Sequence, residues 1–199
     1  MLEKVDLTKK ISKEEYKAKM PQMEIELGRL QRECRELKIP VMIVFEGFGA
    51  SGKGVQIGKL IQSMDPRGFQ VFPIKAETED ERMHPFLWRF WTKTPEAGRI
   101  AIFDGSWYRK VLIDRFEKRT REKEIETAFH SIEAFEKQLT DGGTILVKLL
   151  LDIDQKEQKK RFEKLLEKKE TAWRGSQGDR EKCKIFRVCS HDGRSIIQK

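Results

Sequence analysis

Apolar residues along the chain form either short continuous runs or positions at helical spacing. The apolar run at residues 41–45 is typical of a strand buried on both faces of a parallel sheet, and residues 144–151 are predicted as another buried strand. Residues 69–74 and 99–104 are predicted as two further strands, the second ending on a carboxylate. Helices are predicted between and after the strands, over about 55–61, 78–91, 107–118, 122–139 and 155–169. Strands that alternate with helices predict a doubly wound parallel α/β sheet with flanking helices.

An N-terminal helix is predicted before the first strand. Ser12 and Glu15 have the spacing of a capping box, and Pro21 is expected to restart the helix. Beyond Pro21, apolar residues recur at steps of four and three residues, at Met23, Leu27, Leu30, Cys34 and Leu37. We expect this apolar stripe to pack on the side of the domain, with self-association of the helix as the alternative.

The composition narrows the class of protein. Hydrophobic residues make up 38% of the 199 residues, which is enough for one compact core. The net charge of +8 favours polyanionic partners such as nucleic acid, nucleotide phosphates or inorganic phosphate chains. The cysteines lack metal-binding or disulfide spacing, so we expect reduced thiols in a cytosolic protein. Without a long apolar run or a signal-peptide pattern, membrane and secreted proteins are disfavoured.

A glycine-rich loop follows the first predicted strand and precedes a helical pattern. Gly47, Gly52 and Lys53 fit the spacing of a phosphate loop. Glycines let backbone N–H groups turn inward around phosphate oxygens, while the helix N-terminus and the lysine add positive charge. We predict phosphate binding over the whole loop, with a flexible turn as the alternative; its residues are Gly47, Phe48, Gly49, Ala50, Ser51, Gly52, Lys53 and Gly54.

Asp104 is the predicted metal ligand. Gly54 stands where a phosphate loop usually has Ser or Thr, so other groups must hold a magnesium ion. Ser51 offers a hydroxyl, and Asp104 offers a carboxylate at the carboxyl end of a strand, where ligands bind in open α/β sheets. One carboxylate is enough for Mg²⁺ when phosphate oxygens and water complete its shell. The alternative for Asp104 is a cap at the end of its strand.

Basic and aromatic side chains cluster after the predicted strand ends. A phosphate chain needs several guanidinium groups, because each phosphate carries charge and several acceptor oxygens. The arginines of this cluster are Arg67, Arg82, Arg89, Arg109 and Arg115, of which Arg82 and Arg89 are expected to share one helix face. Each arginine taken alone fits a solvated surface equally well. We expect Trp88 and Trp91 in the core, with base stacking as a candidate role for one of Phe90, Trp107 and Tyr108.

Several short motifs occur together in the order of a known family. They are Phe45-Glu46-Gly47, Gly52-Lys53-Gly54, Asp65-Pro66-Arg67-Gly68, Glu81-Arg82, Trp88-Arg89-Phe90, Phe103-Asp104-x-Ser106-Trp107-Tyr108, Lys148 and Glu157-Gln158-x-x-Arg161. On these motifs, residues 12–174 resemble the polyphosphate kinase 2 family. The stretch 83–108 looks most like its polyphosphate:AMP phosphotransferase branch.

The resemblance implies a P-loop kinase fold and a function. It implies Mg²⁺-dependent transfer of a terminal phosphoryl group between polyphosphate and a nucleotide. This transfer would convert AMP into ADP, or a nucleoside diphosphate into a triphosphate. Lys53, Asp104 and Arg109 would be catalytic, and Asp104 would organise the metal. The polyphosphate path and a mobile lid would be lined by Arg67, Lys75, Arg82, Arg89, Arg115, Lys148 and Arg161. The expected protein is a cytoplasmic homo-oligomer that binds neither nucleic acid nor a membrane.

Two loop positions depart from the family pattern. Gly49 stands where the family usually has Asp, and Gly105 stands where it usually has Arg after the strand-end aspartate. Losing a carboxylate and a guanidinium removes one metal contact and one phosphate contact. This favours, as an alternative, a catalytically weak or inactive module that binds polyphosphate or a nucleotide. An ATP-dependent nucleotide kinase is the other alternative.

The C-terminal segment is expected to differ from the family. The resemblance stops after residue 174, and residues 175–199 lack clear periodicity, which predicts an irregular and disordered tail. One hypothesis is a shifted or truncated reading frame, because residues 185–192 read one base later give a helical, tyrosine-bearing segment. The expected organisation is an arm and helix over 1–38, a P-loop phosphotransferase domain over 39–174 and this tail.

Overall fold

The computed structural model describes residues 9–116 and 121–167 of the chain. Its strands form one four-stranded parallel sheet in the order β2-β3-β1-β4, so the predicted parallel sheet is confirmed. The strands are β1 (Val41–Gly47), β2 (Phe69–Pro73), β3 (Ile100–Asp104) and β4 (Ile145–Leu151). The helices are α1 (Lys13–Glu36), α2 (Lys53–Gln62), α3 (Glu79–Arg82), α4 (Trp88–Trp91), α5 (Arg109–Phe116), α6 (Glu122–Asp141) and α7 (Gln155–Glu167). None of these described helices is long and apolar enough to cross a bilayer.

Two predicted helices differ from those observed. Helix α1 runs without interruption through Pro21, which was expected to restart it. Pro21 and Lys17 are both exposed, so water can bond the carbonyl that loses its helical partner. The single helix predicted over residues 78–91 is instead two short helices, α3 and α4. Pro85 separates them, because the residue before a proline disfavours the helical conformation.

Hydrophobic cores lie on both faces of the sheet. Alternate residues of β1 point to opposite faces: Val41, Ile43 and Phe45 to one, Met42 and Val44 to the other. The first face is covered by α2 and part of α1, and the second by α5 and α6. Because β1 lies between β3 and β4 and is covered on both sides, its apolar run is continuous.

The burial of the aromatic residues differs from the prediction, and Trp88, expected in the core, is half-buried. Trp91 is 40% exposed, whereas Trp107 is fully buried and Phe90 and Tyr108 are nearly so. The ring of Trp107 makes edge contacts with the rings of Phe90, Phe103 and Phe135, at centroid distances of 5.6, 5.9 and 4.8 Å. The three base-stacking candidates are therefore core residues. Trp107 and Tyr108 follow β3 and bond to Glu136 of α6, whereas Phe90 enters the same core from α4.

Strand β4 lies at one edge of the described sheet. It was predicted to be buried but is partly exposed. Ile145, Val147 and Leu149 are 46%, 36% and 41% exposed within the described part of the chain. They lie on the sheet face that also carries Val41, Ile43 and Phe45 of β1, their register partners. An apolar run indicates a strand, but it does not show which neighbouring element covers that strand.

A buried glutamine connects α1 to the turn before β2. The Gln31 side chain donates from Nε2 to the Asp65 carbonyl at 2.9 Å and accepts from the Asp65 N–H at 2.7 Å. Gln31→Leu keeps the volume but leaves the Asp65 N–H without its partner, while the Asp65 carbonyl keeps only the Gly68 N–H, at 2.9 Å. We expect the free energy of unfolding to fall by about 1–3 kcal/mol, measured by urea titration. Arg32→Leu, on the exposed side of the same helix, is the control; equal stabilities of the two variants would contradict this prediction.

Candidate functional site

The glycine loop connects β1 to the N-terminus of α2, as predicted. Gly47, Ala50 and Gly52 have positive φ angles of 144°, 62° and 103°, which place them in the left-handed region. A Cβ on Gly47 would lie 2.3 Å from the Leu151 carbonyl oxygen, so only glycine fits there. The loop therefore has a backbone conformation that residues with side chains rarely adopt, immediately before a helix N-terminus that favours anions.

Lys53 and Ser51 present polar groups at the loop. The Lys53 ammonium donates to the Gly47 carbonyl at 2.6 Å and to the Phe48 carbonyl at 3.4 Å, which holds its charge over the loop. The Ser51 hydroxyl is buried and has no hydrogen-bond partner among the described residues. A buried hydroxyl without a partner is costly, and a phosphate oxygen or a metal ion would satisfy it.

Asp104 ends β3 on the same edge of the sheet as the loop. It is the register partner of Phe45 in β1 and of Pro73 in β2. The Gly105 N–H donates to the Phe45 carbonyl at 2.9 Å, so the chain leaving β3 is attached to the strand that carries the loop. The structure thus brings Asp104 and the phosphate loop to one side of the sheet.

Glu46 is a site residue that the sequence prediction did not assign. It is buried between the loop and the end of β3, and its carboxylate accepts from the Ser106 hydroxyl at 2.5 Å. Burial raises the pKa of Glu46, the Ser106 hydrogen bond and the Lys53 charge offset part of this rise, and the Asp104 charge adds to it. A carboxylate that directly follows a buried apolar run was the available sequence signal.

The local structure restricts side chains at Gly49 and Gly105, the two positions expected to depart from the family pattern. A Cβ on Gly49 would lie 3.0 Å from Cζ of Phe162, so that α7 leaves little room for a side chain there. Gly105 has a φ of 78°, a conformation that an arginine rarely adopts.

Helix α7 lies against the side of the phosphate loop that carries the carbonyls of residues 49–51, which we call its outer side. Gln158 donates to the Gly49 carbonyl at 2.9 Å, and Arg161 donates to the Ala50 and Ser51 carbonyls at 3.1 Å each. The Asp154 carboxylate accepts from the Glu157 N–H at 2.7 Å and so caps the N-terminus of this helix. Arg161, predicted on the polyphosphate path, is thus bonded to the loop itself.

Arg89 and Arg109 lie in one small cavity beside Ser106. Arg89 is 7% exposed with its Nε 3.2 Å from Glu81, and the Nε of Arg109 is 3.4 Å from Asp114. Their guanidinium groups lie next to the turn that follows Asp104. The expectation that Arg82 and Arg89 share one helix face is wrong, because the helix breaks between them and Arg82 is exposed.

The other predicted basic residues lie at several different places in the fold. Arg67 lies at the amino end of β2, opposite the loop, and its ion pair at 2.9 Å lowers the pKa of Asp65 to about 2. Lys75 is exposed just past the carboxyl end of β2. Lys148 is paired with Glu136 at 2.8 Å. Arg115 is in α5, but its side chain lies outside the described residues. The roles of these residues stay predictions.

Comparisons with known proteins identify one family. The model of the family described as polyphosphate kinase 2 matches residues 10–188, which extends past the predicted end of the resemblance at residue 174. A polyphosphate:AMP phosphotransferase of Pseudomonas syringae pv. tomato is 39% identical over 163 residues, covering 82% of this chain and 33% of that protein. An ADP-polyphosphate phosphotransferase 3 of Rhizobium meliloti is 30% identical over 164 residues, covering 82% of this chain and 58% of that protein.

A solved structure agrees with these matches. The crystal structure of polyphosphate kinase 2 from Arthrobacter aurescens TC1 matches with a TM-score of 0.87 and 31% identity, covering 94% of this chain and 69% of that chain. The chain therefore spans about a third of the Pseudomonas relative and little more than half of the Rhizobium relative. The segment after residue 167, including the expected tail and its frame-shift hypothesis, lies outside the described residues.

Proposed function

The chain belongs to the polyphosphate kinase 2 family and has its P-loop kinase fold, and from this premise we propose that it transfers a terminal phosphoryl group between inorganic polyphosphate and a nucleotide. The proposed acceptor is AMP, with a nucleoside diphosphate as the second acceptor. The placement of the phosphate loop, Lys53 and Asp104 on one edge of the sheet carries this proposal. The names of the relatives support both acceptors.

The proposed chemistry needs positioning and charge neutralisation more than covalent catalysis. Loop N–H groups and the N-terminus of α2 bind phosphate oxygens, while Lys53 exchanges the carbonyls of Gly47 and Phe48 for phosphate. Arg89 and Arg109, which line one cavity with Ser106, bind negative charge near the turn that follows Asp104. A nucleotide phosphate oxygen bonds to the terminal phosphorus as the bridging P–O bond breaks. The remaining polyphosphate keeps the bridging oxygen and is one phosphate shorter.

Mg²⁺ is the proposed cofactor, with Asp104 as its protein ligand. The buried Ser51 hydroxyl without a partner and the strand-end carboxylate fit a hard cation that also binds phosphate oxygens. Among the residues that the structure describes, no three His, Cys, Asp or Glu side chains form a metal-binding group. One carboxylate is sufficient when phosphate and water supply the other oxygens. When bound, the ion supplies neutralisation of phosphate charge.

A panel of donors and acceptors tests the proposed function. Polyphosphate or ATP is offered as donor to AMP, ADP and GDP with Mg²⁺, and the products are separated by chromatography. We expect ADP to form from AMP and polyphosphate. A rate seen only with ATP would make the protein an ATP-dependent nucleotide kinase. Polyphosphate binding with no turnover on any pair would favour the binding-module alternative.

The assembly and location of the protein are further parts of this proposal. We propose a cytoplasmic homo-oligomer, because the resemblance to the family implies both. Light scattering on the purified chain measures its mass against the 23.4 kDa of one copy.

A further inference from the structure

The outer side of the phosphate loop is held by a single face of α7. Gln158 and Arg161 are three residues apart and donate to three consecutive loop carbonyls, those of Gly49, Ala50 and Ser51. We propose that this face is a clamp, in which Gln158 and Arg161 are positioning residues that fix the loop in its phosphate-binding shape. The effect on turnover rests on the proposed function, whereas the effect on the loop does not.

The loop needs such a clamp because its conformation is unfavourable in isolation. Ala50 has a positive φ of 62°, which costs free energy for any residue other than glycine. Inside the loop, the Ser51 N–H donates to the Phe48 carbonyl at 3.1 Å. If one loop peptide turned over, a carbonyl oxygen would face the bound phosphates and repel them. The donors on α7 oppose this change by bonding the carbonyls on the outer side.

The clamp is itself well ordered by its neighbours. Gln158 is fully buried, and Phe162, one turn further along α7, packs on Gly49 at the place where a Cβ would be. The Glu157 carboxylate accepts from Nε of Arg161 at 2.8 Å, which leaves Nη1 directed at the loop carbonyls. Helix α7 thus contacts the loop through an apolar ring, an amide and a guanidinium group.

This role for Arg161 differs from the predicted role on the polyphosphate path. A residue that binds the polyphosphate chain would contribute more to activity as the polymer lengthens, because a longer chain makes more contacts with the protein. A clamp acts on the loop and therefore affects every phosphate substrate by the same factor. The dependence of the loss on substrate length separates the two roles.

The kinetic test uses Arg161→Ala, Gln158→Leu and the conservative Arg161→Lys. We expect kcat/KM to fall about 10- to 100-fold in Arg161→Ala, by an equal factor at every polyphosphate length, with partial rescue in Arg161→Lys. Lys160→Ala is the matched control, because it removes one positive charge from the exposed position that directly precedes Arg161 in α7. We expect this control to behave as the wild type.

Hydrogen exchange measures the protection of the loop amides directly and does not require turnover. We expect the backbone amides of residues 50–53 to exchange about 10-fold faster in Arg161→Ala and Gln158→Leu, while the amides of α6 keep their protection. Binding of inorganic triphosphate, measured by calorimetry, should weaken in parallel. If the wild type has no transfer activity, these two measurements still decide whether the clamp exists.

Two results would overturn the clamp. Unchanged exchange at residues 50–53 in both variants would show that α7 does not fix the loop. A loss of activity that grows with polyphosphate length, with triphosphate binding intact, would return Arg161 to the polyphosphate path. If Arg161→Ala lowers protection throughout the chain, Gln158→Leu and Arg161→Lys provide the decisive comparison.

Discussion

Replacing Lys53 with alanine is expected to lower kcat/KM for phosphoryl transfer by about 100- to 1,000-fold. The Lys53 ammonium lies over the loop, 2.6 Å from the Gly47 carbonyl, at the N-terminus of α2. In this position its charge meets phosphate oxygens where they also meet the loop amides. Phosphoryl transfer depends on such charge neutralisation, so removing the ammonium lowers the rate of the transfer step itself. Steady-state rates with polyphosphate and AMP measure the effect.

The fold should survive this substitution. Lys53 is only partly buried, and its side chain bonds two carbonyls that water can reach after truncation. Lys59→Ala is the matched control, because Lys59 is an exposed lysine on the same helix whose ammonium donates to the Tyr16 hydroxyl. We expect wild-type rates for this control and similar melting temperatures for both variants. Full activity in Lys53→Ala would remove the phosphate loop from the proposed mechanism.

Features that depend on residues close in sequence were predictable. The spacing from Gly47 to Lys53 and the apolar run before it are local, so the strand, loop and helix were recognised together. The carboxylate of Asp104 was also placed on the correct edge, since the carboxyl ends of parallel strands meet there. Periodicity and motif spacing carry this kind of information without knowledge of the packing.

Features that depend on distant residues were not predictable. Neither the contact of Arg161 with the Ala50 carbonyl nor that of Phe162 with Gly49 has a local signature, because more than a hundred residues separate the partners. The exposed face of β4 depends on which elements cover the sheet, and a hydropathy pattern does not specify them. A basic residue near a strand end likewise predicts charge, but not whether an acidic partner neutralises it.

Glu136 shows how such a distant partner changes the interpretation of Lys148. The Glu136 carboxylate accepts from the Trp107 indole at 3.0 Å, the Tyr108 hydroxyl at 2.8 Å and the Lys148 ammonium at 2.8 Å. Two of these donors belong to the turn that follows Asp104 and leads to Arg109. Glu136 therefore holds this turn against α6, and its ion pair with Lys148 gives that lysine a structural contact that the sequence did not indicate.

Trp107→Ala is expected to lower the free energy of unfolding by about 3–5 kcal/mol. The indole is fully buried, and its ring edges meet Phe90, Phe103 and Phe135. Truncation leaves a cavity at the centre of this core and removes one hydrogen bond from Glu136. Because the same turn connects Asp104 at the end of β3 to Arg109 at the start of α5, activity should fall as well. Urea unfolding followed by circular dichroism measures the loss of stability.

Trp91→Ala is the comparison that separates the structure from the sequence prediction. Trp91 is 40% exposed and makes one ring-edge contact with Phe135, at a centroid distance of 4.7 Å. We therefore expect its removal to cost about 1 kcal/mol, well below the cost at Trp107. If Trp91→Ala were the more damaging variant, Trp91 would be the core residue and Trp107 would be available for a nucleobase. The turn after β3 would then have to present its indole to the phosphate loop rather than to α6.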